Sequence, residues 1–232
     1  MNWMALLRWH CCKSIIFFTV LFVICQHLFL SVTTVYGNSD KVVYLTSLEW
    51  HPYSGKKLLS QGASVLVAYE AFKAMGYELK VDFFPWQRAV YTARTDDRYA
   101  GYFPEYYAKE IGKDFIFSDP IGSGPIGFVE RKDSPVQWDS INDLKKYKVG
   151  IVAGYVNTEE FDKMVKRKEI IAETVVDDRT NIKMVAAKRM PIAIIDKYVL
   201  QYMLDNDPAL YSIKNEVRFN SKTLEMKTLY VC

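Results

Sequence analysis

Histidine and cysteine are scarce in this chain, with three and four among 232 residues. His10, His27, Cys11, Cys12 and Cys25 all fall near the N-terminus, which leaves only His51 and Cys232 for the rest. A single imidazole supplies neither His-rich metal ligation nor a Ser-His-Asp triad, so no metal site is expected and most hydrolase mechanisms lack material. A lone Cys232 forms no internal disulfide, and about 195 residues bury enough apolar surface to fold without one. An excess of charge of one sign is lacking as well. The 30 basic and 27 acidic residues leave a net +3, and Arg8 and Lys13 are the only formal charges before Asp40. So balanced a surface attracts no nucleic acid. What the chain does have is 50% hydrophobic and 15% aromatic residues, which excludes a disordered or collagenous protein.

The two early basic residues precede Ser14 to Leu30, an uncharged block containing Ile15, Phe17, Val20, Leu21 and Ile24. Val35-Tyr36-Gly37 and polar Asn38-Ser39-Asp40 follow. Basic, apolar and small-residue order is the pattern of a secretory signal peptide over residues 1–37, and a periplasmic location follows from it. A membrane anchor is the alternative, since the block approaches the roughly 18 residues that span a bilayer, although Gln26 and His27 interrupt it. Ile24 stands before Cys25 where a lipidated cysteine wants a small residue, which argues against lipidation.

Beyond Asp40, strand-like and helix-like periods alternate, which indicates open sheets with covering helices. Lys41 to Leu48 reads as a strand; Val65, Ala68, Tyr69, Phe72 and Met75 recur at helical spacing, with Gly76 as a left-handed cap. Leu79, Val81 and Phe83 alternate as a strand, and Pro85 opens a helix through Ala93. Tyr99 to Phe103 and Phe115 to Phe117 complete a first set. In a second set, Ser140 and Asp143 form a capping box, Val149 to Val152 is a buried strand, Asn157 caps a helix over 158–168, and Thr180 caps another. Ile192 to Ile195 is a further buried strand before a helix from Asp196 to Leu204, and Lys227 to Cys232 reads as a final strand. Gly122 to Gly127 matches G-x-G-x-x-G, but a nucleotide fingerprint needs a following helix, and Pro125 with Phe128-Val129 points to a hinge or turn.

Aromatic side chains gather where open α/β sheets bind ligands. Trp50, Tyr53, Trp86, Tyr102, Phe103, Tyr106, Tyr107 and Tyr155 each stand just after an expected strand, at its carboxyl end. Rings there make flat walls with polar edges, although ordinary core packing is an equal claim on any single one. Asp196 ends the run Ile192-Ala193-Ile194-Ile195, so a buried strand carries a carboxylate to the same edge, where it also suits a helix cap. Opposite it, Gly154-Tyr155-Val156-Asn157 places a helix N-terminus whose amides suit an anion. A carboxylate facing an amide nest fits a polar or zwitterionic small molecule.

With these residues placed, the chain resembles the family 3 periplasmic solute-binding proteins of ABC transporters, whose best-known members bind polar amino acids. The resemblance runs from about Val42 onward and is carried by Trp50-His51-Pro52-Tyr53, Phe84-Pro85-Trp86-Gln87-Arg88-Ala89, Phe117-Ser118-Asp119-Pro120, Val149 to Gly154 and Ile195-Asp196. It implies an α/β, two-lobed type II binding-protein fold, each lobe an open sheet flanked by helices, with a hinge between. Lobe 1 would take residues 38–124, lobe 2 residues 125–219, and residues 220–232 would return to lobe 1, with the chain ending earlier than its relatives. The implied function is non-enzymatic capture of a small polar, amino-acid-like or cationic solute, by a monomer that serves an ABC transporter permease and needs no cofactor. The expected ligand contacts are Trp50, Tyr53, Trp86, Arg88, Tyr106, Tyr155, Val156, Asn157 and Asp196. Asp196 stands where the family takes a ligand's amino group. Ala108 and Ile111 stand where the family has a threonine and the arginine that clamps the ligand carboxylate, and Val156 replaces a glycine. An ordinary α-amino acid is therefore not expected, and Arg88 or the amides near Asn157 would have to compensate. Two other readings use the same scaffold: a dehydratase or lyase with Asp196 or Glu105 as acid or base, and a sensory module.

Overall fold

The computed structural model describes residues 41–232. The signal peptide expected over 1–37 lies outside them. Among the described residues no helix is long and apolar enough to cross a membrane.

Two sheets organise the described residues. The smaller pairs β1 (Val42–Ser47) in parallel with both β2 (Glu78–Phe83) and β3 (Gly101–Tyr102). Leu45 and Leu79 point from it onto Val65 and Ala68 of α1 (Ala63–Ala74), closing a small core that also buries Phe103. Gly76 takes φ of 79° just beyond α1, a backbone state open to glycine at little cost. α2 (Trp86–Thr95) lies on the same lobe and buries Ala89 completely.

The larger sheet runs in the order β4 (Glu105–Tyr106), β10 (Glu225–Tyr230), β5 (Gly122–Arg131), β8 (Ile192–Asp196), β6 (Lys148–Val152), β7 (Ile171–Val175), with β9 (Val217–Phe219) also on β5. Every residue of β8 is buried, as its unbroken apolar run requires when parallel β6 and antiparallel β5 flank it. α3 (Glu159–Lys166), α4 (Asp178–Ala186) and α5 (Lys197–Asn206) cover this sheet, and Phe128, Val149, Phe161, Ile182 and Leu200 fill the space between. The two antiparallel strands β5 and β10 tie the lobes together: β5 begins against β10 and ends against β8 and β9. Just past β10, Cys232 exchanges both backbone hydrogen bonds with Tyr102 of the small sheet, at 2.8 and 2.9 Å. The last residues of the described chain thus bond to the edge strand β3 of the small sheet.

Several expectations shift. Gly122 to Gly127 is neither a turn nor a loop but the first half of the ten-residue strand β5, so the lobe boundary drawn at residue 124 falls inside a strand. β-Ladder bonds to β10 override the local turn preference of its glycines. Phe115 to Phe117 is not a strand, and Phe117 packs instead between the rings of Tyr107 and Tyr230. α3 is capped by Thr158, whose hydroxyl accepts from the Phe161 amide, and not by Asn157. α4 is capped by Asp177 and not by Thr180, because the Asp177 carboxylate, just before the helix, accepts from the Thr180 amide at 2.7 Å.

Candidate functional site

The site grows from the turn that follows β1. Trp50 and Ser54 bridge each other's backbone, and the buried Ser54 hydroxyl donates to the Leu48 carbonyl at 2.8 Å. This fixes Trp50 and Tyr53 as a stacked pair with ring centroids 4.7 Å apart. Trp86, at the start of α2, and Tyr106, on β4, bring two more rings. From the other lobe, Tyr155 on the β6–α3 loop reaches between the two tryptophans, edge-on to Trp50 at 6.3 Å and to Trp86 at 6.0 Å. The Trp86 indole nitrogen donates to the Gly154 carbonyl at 2.9 Å, a direct bond across the cleft.

Carboxylates stand inside this aromatic frame. Asp196, at the end of β8, caps α5 with one oxygen, which accepts from the Tyr198 and Val199 amides at 2.8 and 3.1 Å. Its other oxygen turns inward and accepts from the Tyr53 hydroxyl at 3.1 Å and the Tyr106 hydroxyl at 3.5 Å. Gly124 of β5 lies so close beneath the Tyr53–Asp196 pair that a β-carbon there would collide with both. The Tyr155 hydroxyl lies 3.5 Å from Asp178, and the Tyr102 hydroxyl donates to Glu105 at 3.1 Å. Burial raises all three acids from their ordinary values, Asp178 to about 7 and Glu105 to about 8. Burial likewise lifts the Tyr53, Tyr106 and Tyr155 hydroxyls, which therefore remain protonated donors.

Two small cavities run through the frame. One lies between Leu48, Trp50, Trp86, Glu105 and Tyr106. The other is lined by Trp50, Tyr106, Tyr155, Asp178 and Asp196 together with the apolar side chains of Ile126, Val152 and Ile194. No cationic side chain lines either one. Lys227 sits outside, over the Tyr106 ring at 5.5 Å, where its charge only partly offsets the effect of burial on Glu105.

The structure therefore brings Trp50, Tyr53, Trp86, Tyr106, Tyr155, Val156, Asn157 and Asp196 to one cleft, while Arg88 stays apart. Arg88 is exposed on α2 and lies over the Phe84 ring at 4.9 Å. The Asn157 backbone and side-chain amides are already bonded to Asp162, at 3.0 and 2.8 Å, so they offer no free anion seat. Phe103 belongs to the small lobe's core, and Tyr107 is exposed. Asp178 escaped the reading of the sequence. Its signal was the same as that of Asp196, an acid just beyond a strand and opening a helix, masked by the assignment of Thr180 as the cap.

No family model matches the chain, and no curated protein matches its sequence. Solved structures do match. The GluR0 ligand-binding core from Nostoc punctiforme, in complex with L-glutamate, covers 82% of this chain and 83% of its own at TM-score 0.63 and 18% identity. Holo ArgBP from T. maritima covers 82% and 81% at TM-score 0.64 and 17% identity. A histidine kinase sensor domain with similarity to periplasmic binding proteins covers 83% and 82% at TM-score 0.68 and 14% identity. The chain has the periplasmic-binding-protein fold. Ala108 and Ile111, the residues that the sequence resemblance sets at a carboxylate clamp, line neither of these two cavities. Ile111 packs against the large core.

Proposed function

We propose that this chain is an exported solute-binding protein that captures a small organic cation by lobe closure, without catalysis. The observation that carries this reading is the inward oxygen of Asp196, held by the Tyr53 and Tyr106 hydroxyls among aromatic walls whose lining contains no cation. A buried carboxylate without a positive partner is unfavourable, and an ammonium group supplies that partner while the rings add cation–π attraction. Carboxylate-bearing ligands lack a counter-charge there, since Arg88 is remote and the Asn157 amides are occupied. The same fold serves binding proteins and receptor or sensor domains among its structural neighbours, so the captured cation feeds either a transporter permease or a signalling partner. β5 and β10 form the two strand crossings on which the lobes close, in the hinge manner of such proteins.

Thermal-shift screening and calorimetry of the purified protein test this. Butylamine should raise Tm and bind, butyrate should not, and the amine should be recovered chemically unchanged. Asp196→Asn should weaken amine binding by about 2 kcal/mol, roughly thirtyfold, while the asparagine still caps α5. Binding of butyrate without the amine would overturn the cation reading, and turnover of the amine would overturn the non-catalytic one.

A further inference from the structure

Asp196 is not the only acid facing the cavity that Trp50, Tyr106 and Tyr155 line. Asp178 enters it as the first residue of α4, with 6% of its surface exposed. It has no capping duty, because Asp177 accepts from the Thr180 amide and hydroxyl at 2.7 and 2.6 Å. Its neighbour Arg179 does not neutralise it either, since that guanidinium pairs with Asp207 at 2.5 Å. The one side chain bonded to it in good standing is Tyr155, at a long 3.5 Å. The indole nitrogen of Trp50 borders the same cavity, buried and without a well-formed hydrogen bond. It approaches Asp178 closely enough to oppose the effect of burial on that carboxyl. A nine-tenths buried acid whose neighbours are one long tyrosine bond and an indole N–H, with no cation lining the same cavity, is incomplete without a positive charge. The same cavity is also lined by Ile126, Val152, Ile194 and Ile195, apolar side chains that suit methylene groups instead of polar ones.

We propose that Asp178 and Asp196 are the two ends of one binding site, so that the ligand is an aliphatic dication carrying an ammonium group at each end. This rests on the cation-binding reading above and adds the second charge to it. On closure, one ammonium meets Asp196 with Tyr53 and Tyr106, and the other meets Asp178 with Tyr155. The alkyl chain lies against these isoleucine and valine side chains and the Trp50 ring. Amino acids with a free α-carboxylate are rejected because both polar ends of the cavity are acidic.

Calorimetry at pH 8 with 1,3-diaminopropane through 1,6-diaminohexane, against the monoamines of equal chain length, reads the second subsite directly. At the best-fitting length the diamine should bind at least tenfold tighter than its monoamine. Asp178→Asn should reduce that ratio to about two or less. Diamines within threefold of monoamines at every length would overturn the second subsite while leaving capture by Asp196 intact. A tenfold ratio that persists in Asp178→Asn would also overturn it, by placing the second ammonium elsewhere. Should no amine of either kind bind, the cation reading itself falls. The comparison on the native protein decides the question even if the variant folds poorly.

Discussion

The pairing of β5 with β8 buries acids at both of its ends, and the two ends are built differently. At one end, opposite Ile192, Glu130 is 1% exposed and fully engaged. Arg218 donates to it at 2.8 Å, the Asn220 amide at 2.6 Å and the Val136 backbone at 2.9 Å. At the other end, opposite Ile126, Asp196 meets only neutral donors, and Asp178 nearby meets fewer still. One sheet therefore shows how this chain buries a carboxylate for structure and how it buries one for a ligand. The structural acid brings its own cation from β9, and the cleft acids leave that place to be filled.

The largest expected effect breaks the structural end. Glu130→Ala removes one partner of a buried ion pair and strands the Asn220 amide and the Val136 N–H, so it should lower unfolding stability by about 3 kcal/mol or more. Urea denaturation measures this, and amine affinity of the folded fraction should move little. Asp196→Asn should instead remain within about 1 kcal/mol of the native stability, because its cap to α5 survives the substitution. Equal losses in the two variants would erase the distinction between the two ends.

A smaller effect follows from pH. Asp178 and Glu105 keep their protons in the fold up to about 7 and about 8, whereas in the unfolded chain both lose them near 4. Between those limits the native state binds more protons than the unfolded one, so stability is greatest in acid and declines as pH rises. Of the groups facing Asp178, Asp177 and Asp196 add to burial in disfavouring its ionisation, while the Trp50 indole N–H and the Tyr155 hydroxyl favour it without offsetting burial. Facing Glu105 are Tyr102 and Lys227. Without ligand, Tm should therefore fall by several degrees from pH 5 to pH 8, at roughly 2–4 °C per kcal/mol for a chain of this size. Diamine affinity should move the opposite way and rise about tenfold from pH 6 to pH 8, since the ammonium needs Asp178 ionised. A ligand-free Tm that rises over this range would mean the cleft acids are already neutralised.

Much of this was legible in the sequence. The buried run Ile192 to Ile195 announced a central strand and delivered Asp196 to the cleft, and the aromatic residues after β1 and at the start of α2 marked the walls. Elements whose pattern is local and unbroken read correctly because burial on both faces leaves them no other period. Gly122 to Gly127 misled because its strand is specified by partners about a hundred and about seventy residues away in β10 and β8, which no local signal contains. Asn157 misled for a related reason: its amides suit an anion, but Asp162, one turn into the following helix, already holds them. Arg88 shares α2 with Trp86 two residues away, yet two positions along a helix point in different directions, and only Trp86 faces the cleft.

The smallest expected effect separates closure from charge. Trp86 and Gly154 hold the lobes together by a neutral hydrogen bond that involves neither acid. Trp86→Phe keeps an aromatic wall and removes the N–H, leaving the Gly154 carbonyl, on an exposed residue, free to turn to water. A bond of this kind contributes about 0.5–1.5 kcal/mol, so the closed population should fall and every ligand should weaken by roughly threefold to tenfold. Because the latch does not distinguish one charge from two, the affinity ratio between a diamine and its monoamine should stay constant, in contrast to its collapse in Asp178→Asn. Small-angle scattering of the ligand-free variant should show a larger radius of gyration than the native protein, and saturating diamine should bring the two together. A change in the ratio would mean that Trp86 acts on the ammonium through its ring and is part of the recognition frame, and an unchanged radius would mean that the aromatic packing around Tyr155 closes the cleft without the bond.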